Sequence, residues 1–511
     1  MSAPTSHREI ERKFRVHAMF VWPDLSSVVD QIETHPTVAM TAVYHDTVDL
    51  TLFRWQVTLR RREGGADQGW HLKLPVFGEG DWVRDELQTP LDSGAIGHVP
   101  AELADIISPL VRAQELQPVV ELRTQRTAHI VSSADATALV EIVDDTVTVV
   151  DQAGTPLAIF RELEIELLDN DNPAALEAMD RLSSALLVAG AVPGTMSKAA
   201  AALGPRASAP ADVPELPMPP RTGIAADAIR STIAGHVRNL IFADVAVRRE
   251  LPDAVHQVRV AGRRLRSILR TFDPLLEHEW AVALEDELAW LATEMGIIRD
   301  SEVLEARLIA HSSLLPEPQS ELAVTAVRTA LDRRLDGARS GAMAALRSDR
   351  HAHLIEDLVE AARTPRILDE AYQACEEVLP PLVEKAWKSL AKSCKRLELQ
   401  GPPGEWHRAR IKAKRARYAL DAVLPVFPSG DRRRFSKALA EITELLGDHQ
   451  DAFVAQHFLQ ELAQSSETDG QTGFALGLLH ALEVEAEYEG RLKFAEAWSG
   501  AKKAARDSGL V

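Results

Sequence analysis

Glu9-Ile10-Glu11-Arg12-Lys13 alternates so that Glu9, Glu11 and Lys13 share one face of an extended strand. Neighbours on that face stand roughly 6–7 Å apart. Far downstream, Arg161-Glu162-Leu163-Glu164-Ile165-Glu166-Leu167 repeats the pattern, with three glutamates on one face and Leu163, Ile165 and Leu167 on the other. Between them lie further short alternating segments, at 55–63, 69–76 and 136–150, rich in Val, Ile, Thr and Leu and punctuated by turns. This texture predicts a mainly β domain. Helices are expected near Pro23 to His35 and near Pro173 to Ala189, where Asn172 stands as N-cap with proline at N1. A solvent-facing strand would carry much the same carboxylates, so the cations decide the reading.

Those cations recur on the same kind of segment. Arg60 and Arg62 share a face, Lys73 lies in the next segment, and Arg84 shares a face with Glu86. Arg123 and Arg126 are three apart, so in a regular strand they face opposite ways. Lys198 falls near a helix start, after the turn at Pro193-Gly194. If these faces line a closed barrel, acid and base share one wet tunnel, each sign supplying the other's partner. Such a lining suits a divalent cation with a highly charged phosphate. Hard Mg²⁺ or Mn²⁺ takes carboxylate oxygens, and Arg and Lys take phosphate oxygens.

The chain of 511 residues exceeds what one core usually supports. At 204–224 stand Pro205, Pro210, Pro214, Pro217, Pro219 and Pro220, a density that interrupts helix and makes a semi-rigid spacer. Three regions are therefore expected: a β domain over 1–203, a linker over 204–224 and a helical domain over 225–511, where apolar residues recur at helical spacing. The fold class is α+β multidomain. The N-terminus lacks an apolar secretory core, and no run of about 18 apolar residues occurs, so neither a signal peptide nor a membrane span is expected. Cys375 and Cys394 show no metal or disulfide spacing, which fits a reducing cytoplasm. The net charge of −19 disfavours a polyanionic partner unless basic residues cluster locally.

The N-terminal residues resemble the CYTH, or triphosphate tunnel metalloenzyme, family. Glu9-x-Glu11-x-Lys13 resembles its ExExK signature, and Tyr44-His45-Asp46-Thr47 its Y-F-D-T strand end. Leu59-Arg60-Arg61-Arg62, Leu72-Lys73-Leu74-Pro75, Glu164-Ile165-Glu166-Leu167 and Ser197-Lys198 follow in the family's order. The resemblance implies an eight-stranded antiparallel tunnel binding triphosphate-containing substrates with Mg²⁺ or Mn²⁺. It implies that Glu9, Glu11, Glu164 and Glu166 ligate metal or orient its water. Glu162 shares their face, and Asp144 or Asp145 adds another carboxylate, with Asp145 preferred as ligand. Phosphates fall to Lys13, Arg60, Arg62, Lys73, Arg84, Arg123 and Lys198, and catalysis to Glu9, Glu11 and Lys13. Gln125 stands where many members carry a second basic residue, and Arg126 substitutes for it only if the strand is bulged there. His45 replaces the usual phenylalanine and reads as packing.

The helical region contains a repeat. His256, Arg259, Arg263 and Arg266 match His407, Arg410, Lys414 and Arg417, and Asp300 and Asp451 each follow their histidine by 44 residues. On a helix, His256, Arg259, Arg263, Arg266 and Arg270 form one stripe, as do the four of the second half. Like charges at that spacing repel, so the stripes want anionic partners, some supplied by Asp300 and Asp451. Arg264, Arg408, Lys412 and Arg415 point elsewhere and read as surface charge. His236, His449 and His457 read as structural or surface residues. The pattern H-x-x-R-V-x-x-R-R-L-R with its repeat resembles the CHAD domain. That resemblance implies two pseudo-twofold-related four-helix halves, with inorganic polyphosphate bound by the two stripes.

The expected function is metal-dependent hydrolysis of inorganic triphosphate or a similar short phosphate chain, with polyphosphate held by the helical domain. Two rivals remain: a non-catalytic polyphosphate-binding protein, and a tunnel enzyme for an organic triphosphate, by thiamine triphosphate hydrolysis or adenylate cyclisation. Expected partners are triphosphate and polyphosphate. Neither membrane nor nucleic acid is expected, since no nucleic-acid-binding motif is present and aromatic content is only 5%. The oligomeric state is left open. The expected location is the cytoplasm, with polyphosphate granules a candidate place of association.

Overall fold

β1 (Thr5–Val16) is the strand on which the first unit closes, because it pairs with β6 (Val83–Thr89) along its first half and with β9 (Pro156–Leu167) along its second. The structure, a computed structural model, describes residues 4–76, 83–151, 153–194 and 196–511. From β6 the antiparallel ring runs through β5 (Gly69–Pro75), β4 (Thr58–Glu63), β3 (Val38–Asp46), β7 (Gln117–Ser132) and β8 (Ala138–Val150) to β9. These eight strands make a closed barrel. Two short strands lie off the ring: β2 (Gln31–Thr34) on β7, and β10 (Val192–Gly194) on β1. The turn from β4 to β5 requires Gly64, at φ +84°, where a Cβ would lie 2.5 Å from the Ala39 carbonyl oxygen.

Alternation then sorts the side chains. Outward residues of β1, β8 and β9 (Phe14, Ile142, Leu163 and Ile165) pack beneath α3 (Pro173–Val188) against Met179, Leu182 and Leu186. Each such buried side chain contributes about 1.5–3 kcal/mol. Asn172 caps α3, its side chain accepting from Ala174 N at 3.0 Å. The other helix expected, near Pro23 to His35, is absent. Turns occupy that stretch and Gln31–Thr34 is β2, whose Ile32 and Thr34 supply an edge partner to the far end of β7. α1 (Thr51–Arg54) and α2 (Ala101–Val111) were not anticipated; α1 is only one turn, and α2 carries an internal proline, Pro109. One end of the bore is filled by α4 (Lys198–Leu203). Its Ala199 and Ala200 join a cluster with the inward-facing Ala42, Tyr44, Leu122, Val147 and Val149.

The chain divides into two compact units, Met1–Asp212 and Val213–Val511. The second is helical, and residues 151 apart correspond: α5 (Ala225–Arg248) to α11 (Cys375–Cys394), and α6 (Ala254–Phe272) to α12 (Pro403–Val423). α7 (His278–Glu294) and α8 (Gly296–Ser312) together match the single helix α13 (Gly430–Ala463). α9 (Gln319–Leu346) matches α14 (Gly470–Ser508), and α10 (Asp349–Arg363) is an addition between the halves. The correspondence is visible in one core cluster, where Leu304 and Leu308 of one half meet Ala455 and Leu459 of the other. The two halves thus share a pseudo-twofold relation. Among the described residues, no helix is long and apolar enough to cross a membrane.

Candidate functional sites

The register of the barrel brings the predicted charges into one bore. Cα partners share a face, and the pairs Glu9↔Arg84, Lys73↔Glu86, Lys13↔Glu164, Glu11↔Glu166 and Arg126↔Asp145 run around the lumen. Ion pairs link them. Lys73 Nζ lies 2.5 Å from Glu9 Oε2, and Lys13 Nζ lies 2.7 Å from Glu11 Oε1 and 3.0 Å from Glu164 Oε1. Lys198 Nζ is held at 2.7 Å by Glu164, 2.9 Å by Glu162 and 3.0 Å by Asp145. Arg60 stands 3.8 Å from Glu86 and donates to the Tyr44 hydroxyl at 3.4 Å. Arg62 pairs with Asp67, and Arg84 donates to the Val83 carbonyl at 3.1 Å.

Burial opposes the charges of Lys13, Lys198, Glu11 and Glu164, and their partners overturn it. Glu11 and Glu164 hold the Lys13 ammonium well above the usual lysine range, while Glu164, Glu162 and Asp145 raise Lys198. In return, Lys13 holds the Glu11 carboxyl down, and Lys13, Lys198 and Arg126 hold Glu164 well below its range. Burial raises Glu162 despite Lys198, and Glu166 departs further. Burial, then the neighbouring Glu9, pushes its carboxyl up to about 8. Arg62 is pushed down by burial and by the facing Arg60 and Arg126.

Two predicted assignments change. Arg123 does not line the bore: it is exposed on the outer face of β7 and donates to Glu121 at 3.0 Å. The inward cation is Arg126, whose guanidinium grips Asp145 at 2.9 and 2.6 Å. No bulge is needed, because the β7–β8 register is regular there and alternation alone turns Arg126 in. Gln125 accordingly faces out with Arg123, and its identity leaves the lumen untouched. Of the adjacent aspartates, Asp145 points in and Asp144 points out to Arg161 and Trp22. His45 is buried against Trp70 and accepts from Gly97 N at 3.1 Å, which is packing.

Sequence reasoning gave little weight to Glu86 and none to His71. Both face the lumen, with His71 Nδ1 2.8 Å from Glu86 Oε1. Glu86 also meets Lys73, Arg60 and His7. The spacing of His71 and Lys73 on β5 carried that signal.

The lining fits a hard divalent cation by its donor chemistry. Glu162 Oε1 is buried, with the Lys198 ammonium 2.9 Å away as its ion-pair partner. Glu166 faces Glu11, and carboxylate oxygens are the ligands Mg²⁺ and Mn²⁺ prefer. Among the described residues, no three such groups already form a metal cluster. The ion pairs must therefore rearrange for a metal to enter.

In the helical unit the two basic stripes converge. α6 packs on α12, so that Arg263 and Arg259 lie near Arg410 and Lys414. Arg259 donates to Asp300 and to the Gly296 carbonyl, both at 2.8 Å, and Arg410 stands 4.0 Å from Asp451. His407 contacts Gln450 at 2.7 Å, and Arg417 lies 3.6 Å from Asp421. Arg263, Arg266 and Arg410 each bury an Nε with no hydrogen-bond partner. Burial, then Arg410 and Arg263, pushes the Lys414 ammonium down to about 7. His256 is pushed down by burial and Arg299. Arg270 departs from the stripe's behaviour by pairing with Glu285. His449 stacks on Trp406 and accepts from Arg491, and His457 contacts the Phe453 carbonyl, as structural histidines do.

Comparison with known proteins agrees with both halves of this geometry. The CYTH domain family matches residues 7–189, and the CHAD domain family matches residues 231–460. Two uncharacterized proteins from strains of Mycobacterium tuberculosis are each 36% identical over 514 residues, covering 94% of this chain and 94% of their own length. Among solved structures, the CHAD domain from the plant Ricinus communis is 29% identical, covering 54% of this chain and 94% of that one, with a TM-score of 0.44. PptA from Streptomyces chartreusis is 22% identical and covers 54% of this chain and 99% of that one, with a TM-score of 0.48.

Proposed function

The chain belongs to the family in which a CYTH domain precedes a CHAD domain, and from that premise we propose that its barrel hydrolyses inorganic triphosphate or a similarly short phosphate chain. CYTH proteins act on phosphoanhydride bonds and use divalent metals. The observation that carries the proposal is the bore itself, where Lys13, Arg60, Lys73, Arg126 and Lys198 meet carboxylates in one lumen that Arg84 also lines.

A triphosphate entering the bore replaces carboxylates as partner of Arg60, Lys73 and Arg126. Their charges then hold the phosphoryl oxygens as charge spreads over them in the transition state. A divalent cation held among Glu9, Glu11, Glu162, Glu164 and Glu166 would neutralise phosphate charge and polarise the attacked phosphorus. Water attacks that phosphorus, the bridging P–O bond breaks, and the shorter phosphate chain leaves with its electron pair. Glu11 and Glu164, held ionised, are placed to accept the proton of the water. Because Lys13 bridges these two carboxylates, it fixes both at the reacting end.

The helical unit is proposed to bind polyphosphate along the seam of Arg259, Arg263, Arg266, Arg410 and Lys414. A purely binding role for the whole protein is the second reading. It is favoured by the occupied ion pairs of the bore and the absence of a ready metal cluster among the described residues. A phosphate-release panel decides between them: triphosphate, ATP, thiamine triphosphate and long polyphosphate, each with Mg²⁺ and Mn²⁺. Triphosphate should be cleaved and Glu11→Ala should abolish cleavage. No release, or equal release by Glu11→Ala, rejects the hydrolase.

A further inference from the structure

The helical unit holds a second basic feature that its repeat explains only in part. A cleft of about 410 Å³ opens where the end of α6 and the start of α7 meet α11 and α12. Lys385, Lys412 and Arg415 line it, and none of the three has an ion-pair or hydrogen-bond partner among the described residues. In a chain with 76 acidic residues against 57 basic ones, three unpartnered cations around one cleft is a local field awaiting an anion.

Arg270, the last residue of the first stripe, and its partner Glu285 also line the cleft, but its unpartnered cations do not belong to the seam. At about 100° per residue, Lys412 lies roughly 200° around α12 from both Arg410 and Lys414. The repeat gives the same answer. Counting back 151 residues, Lys412 corresponds to Ala261 and Lys385 to Ala234, both buried alanines. Lys385 and Lys412 therefore belong to one half alone, while Arg415 corresponds to Arg264.

The rest of the lining says what kind of anion fits. Ser267, Thr271 and Ser389 present hydroxyls, and Val282, Leu382 and Ala419 supply apolar surface. Asp273 adds a carboxylate acceptor, fixed by His278 at 2.6 Å. No Phe, Tyr or Trp lines the cleft among the described residues, so a nucleobase would find no large ring to stack on beyond the His278 imidazole. The volume lies within the roughly 300–1,000 Å³ usual for metabolite sites. We propose that this cleft binds a small phosphorylated polyol, such as a sugar phosphate, separately from polyphosphate. The phosphate falls to Lys385, Lys412 and Arg415, and the sugar hydroxyls to Asp273 and the serine and threonine hydroxyls.

Calorimetric titration of the full chain with fructose 1,6-bisphosphate and ribose 5-phosphate tests this, with AMP, inorganic phosphate and long polyphosphate as comparators. At least one sugar phosphate should bind saturably and more tightly than inorganic phosphate or AMP. The double variant Lys385→Gln/Lys412→Gln should weaken it about tenfold, and Arg410→Gln should leave it within about twofold. Both lysines reach solvent, and circular dichroism of the double variant checks its fold. Absence of saturable binding at millimolar probe overturns the proposal, as does sugar-phosphate affinity unchanged in the double variant. So does inorganic phosphate or AMP binding as tightly as the sugar phosphates. Loss of polyphosphate binding in the double variant equal to that in Arg410→Gln would make the cleft part of the seam and would overturn it too.

Discussion

The bore and the seam both crowd cations together and treat the crowding in opposite ways. In the bore most cations are matched: Lys13 with Glu11 and Glu164, Lys73 with Glu9, Arg126 with Asp145. In the seam cations face cations, Arg410 and Lys414 are pushed down, and buried guanidinium nitrogens lack partners. The difference sets what each can receive. A matched lining is stable when empty and admits a phosphate only by partner exchange, which is where a divalent cation for the released carboxylates becomes useful. An unmatched lining is held under repulsion and gains directly from any polyanion, with no metal required.

That contrast can be broken experimentally. The largest effect should come from Glu164→Ala, which strips partners from Lys13, Lys198 and Arg126 together. Triphosphate hydrolysis should fall about 100- to 1,000-fold while polyphosphate binding is unchanged. A matched lining also predicts a stability cost: Asp145→Ala leaves Arg126 and Lys198 short of a buried partner. Denaturant unfolding of the barrel should then lose about 3 kcal/mol, and equal stability would mean that these pairs are not matched as described. The two faces of β7 sharpen the assignment. Arg126→Ala should raise KM for triphosphate about tenfold, and Arg123→Ala should change it by less than about twofold; the reverse order would place the inner face wrongly.

The smallest predicted effect is a pH dependence of the seam. Lys414 titrates near 7 in the folded protein against an ordinary 10.5, so the free seam carries that proton only at lower pH. A bound polyanion favours the charged form, so binding takes up a proton, and affinity should fall about fivefold from pH 7 to pH 8. Lys414→Met should flatten that slope. The sign for stability is opposite to that of a paired lysine. Between the two pKa values the unfolded chain holds more protons than the folded one. The Lys414 contribution to stability is therefore present at high pH and lost as pH falls from 10.5 toward 7.

Much of this was legible in sequence because alternation is a strict rule. Glu9, Glu11 and Lys13, or Glu162, Glu164 and Glu166, need only a period of two to share a face, and the barrel obeys it. The same rule placed Arg123 and Arg126 on opposite faces, but it could not say which face was inside; that depends on pairing with β8 residues Asp145 and Thr148, well separated in sequence. The segment near Pro23 failed for a related reason. Its local pattern allowed a helix, and the unsatisfied edge of β7 claimed it as strand. In the helical unit the stripes could be read from each helix alone. That they face one another could not, since α6 and α12 are brought together only by the repeat's own symmetry. The charges of Lys412 and Arg415 looked incidental in sequence because their cleft is built from four helices.

The plug formed by α4 bears on how a long chain could be processed. With Ala199 and Ala200 seated among Tyr44, Leu122 and Val147, α4 obstructs one end of the barrel. A chain entering from the other end would present a terminus. Any cleavage there shortens chains by small steps from an end, so product length should drift downward gradually, whereas random scission would yield mid-length fragments from the first cuts.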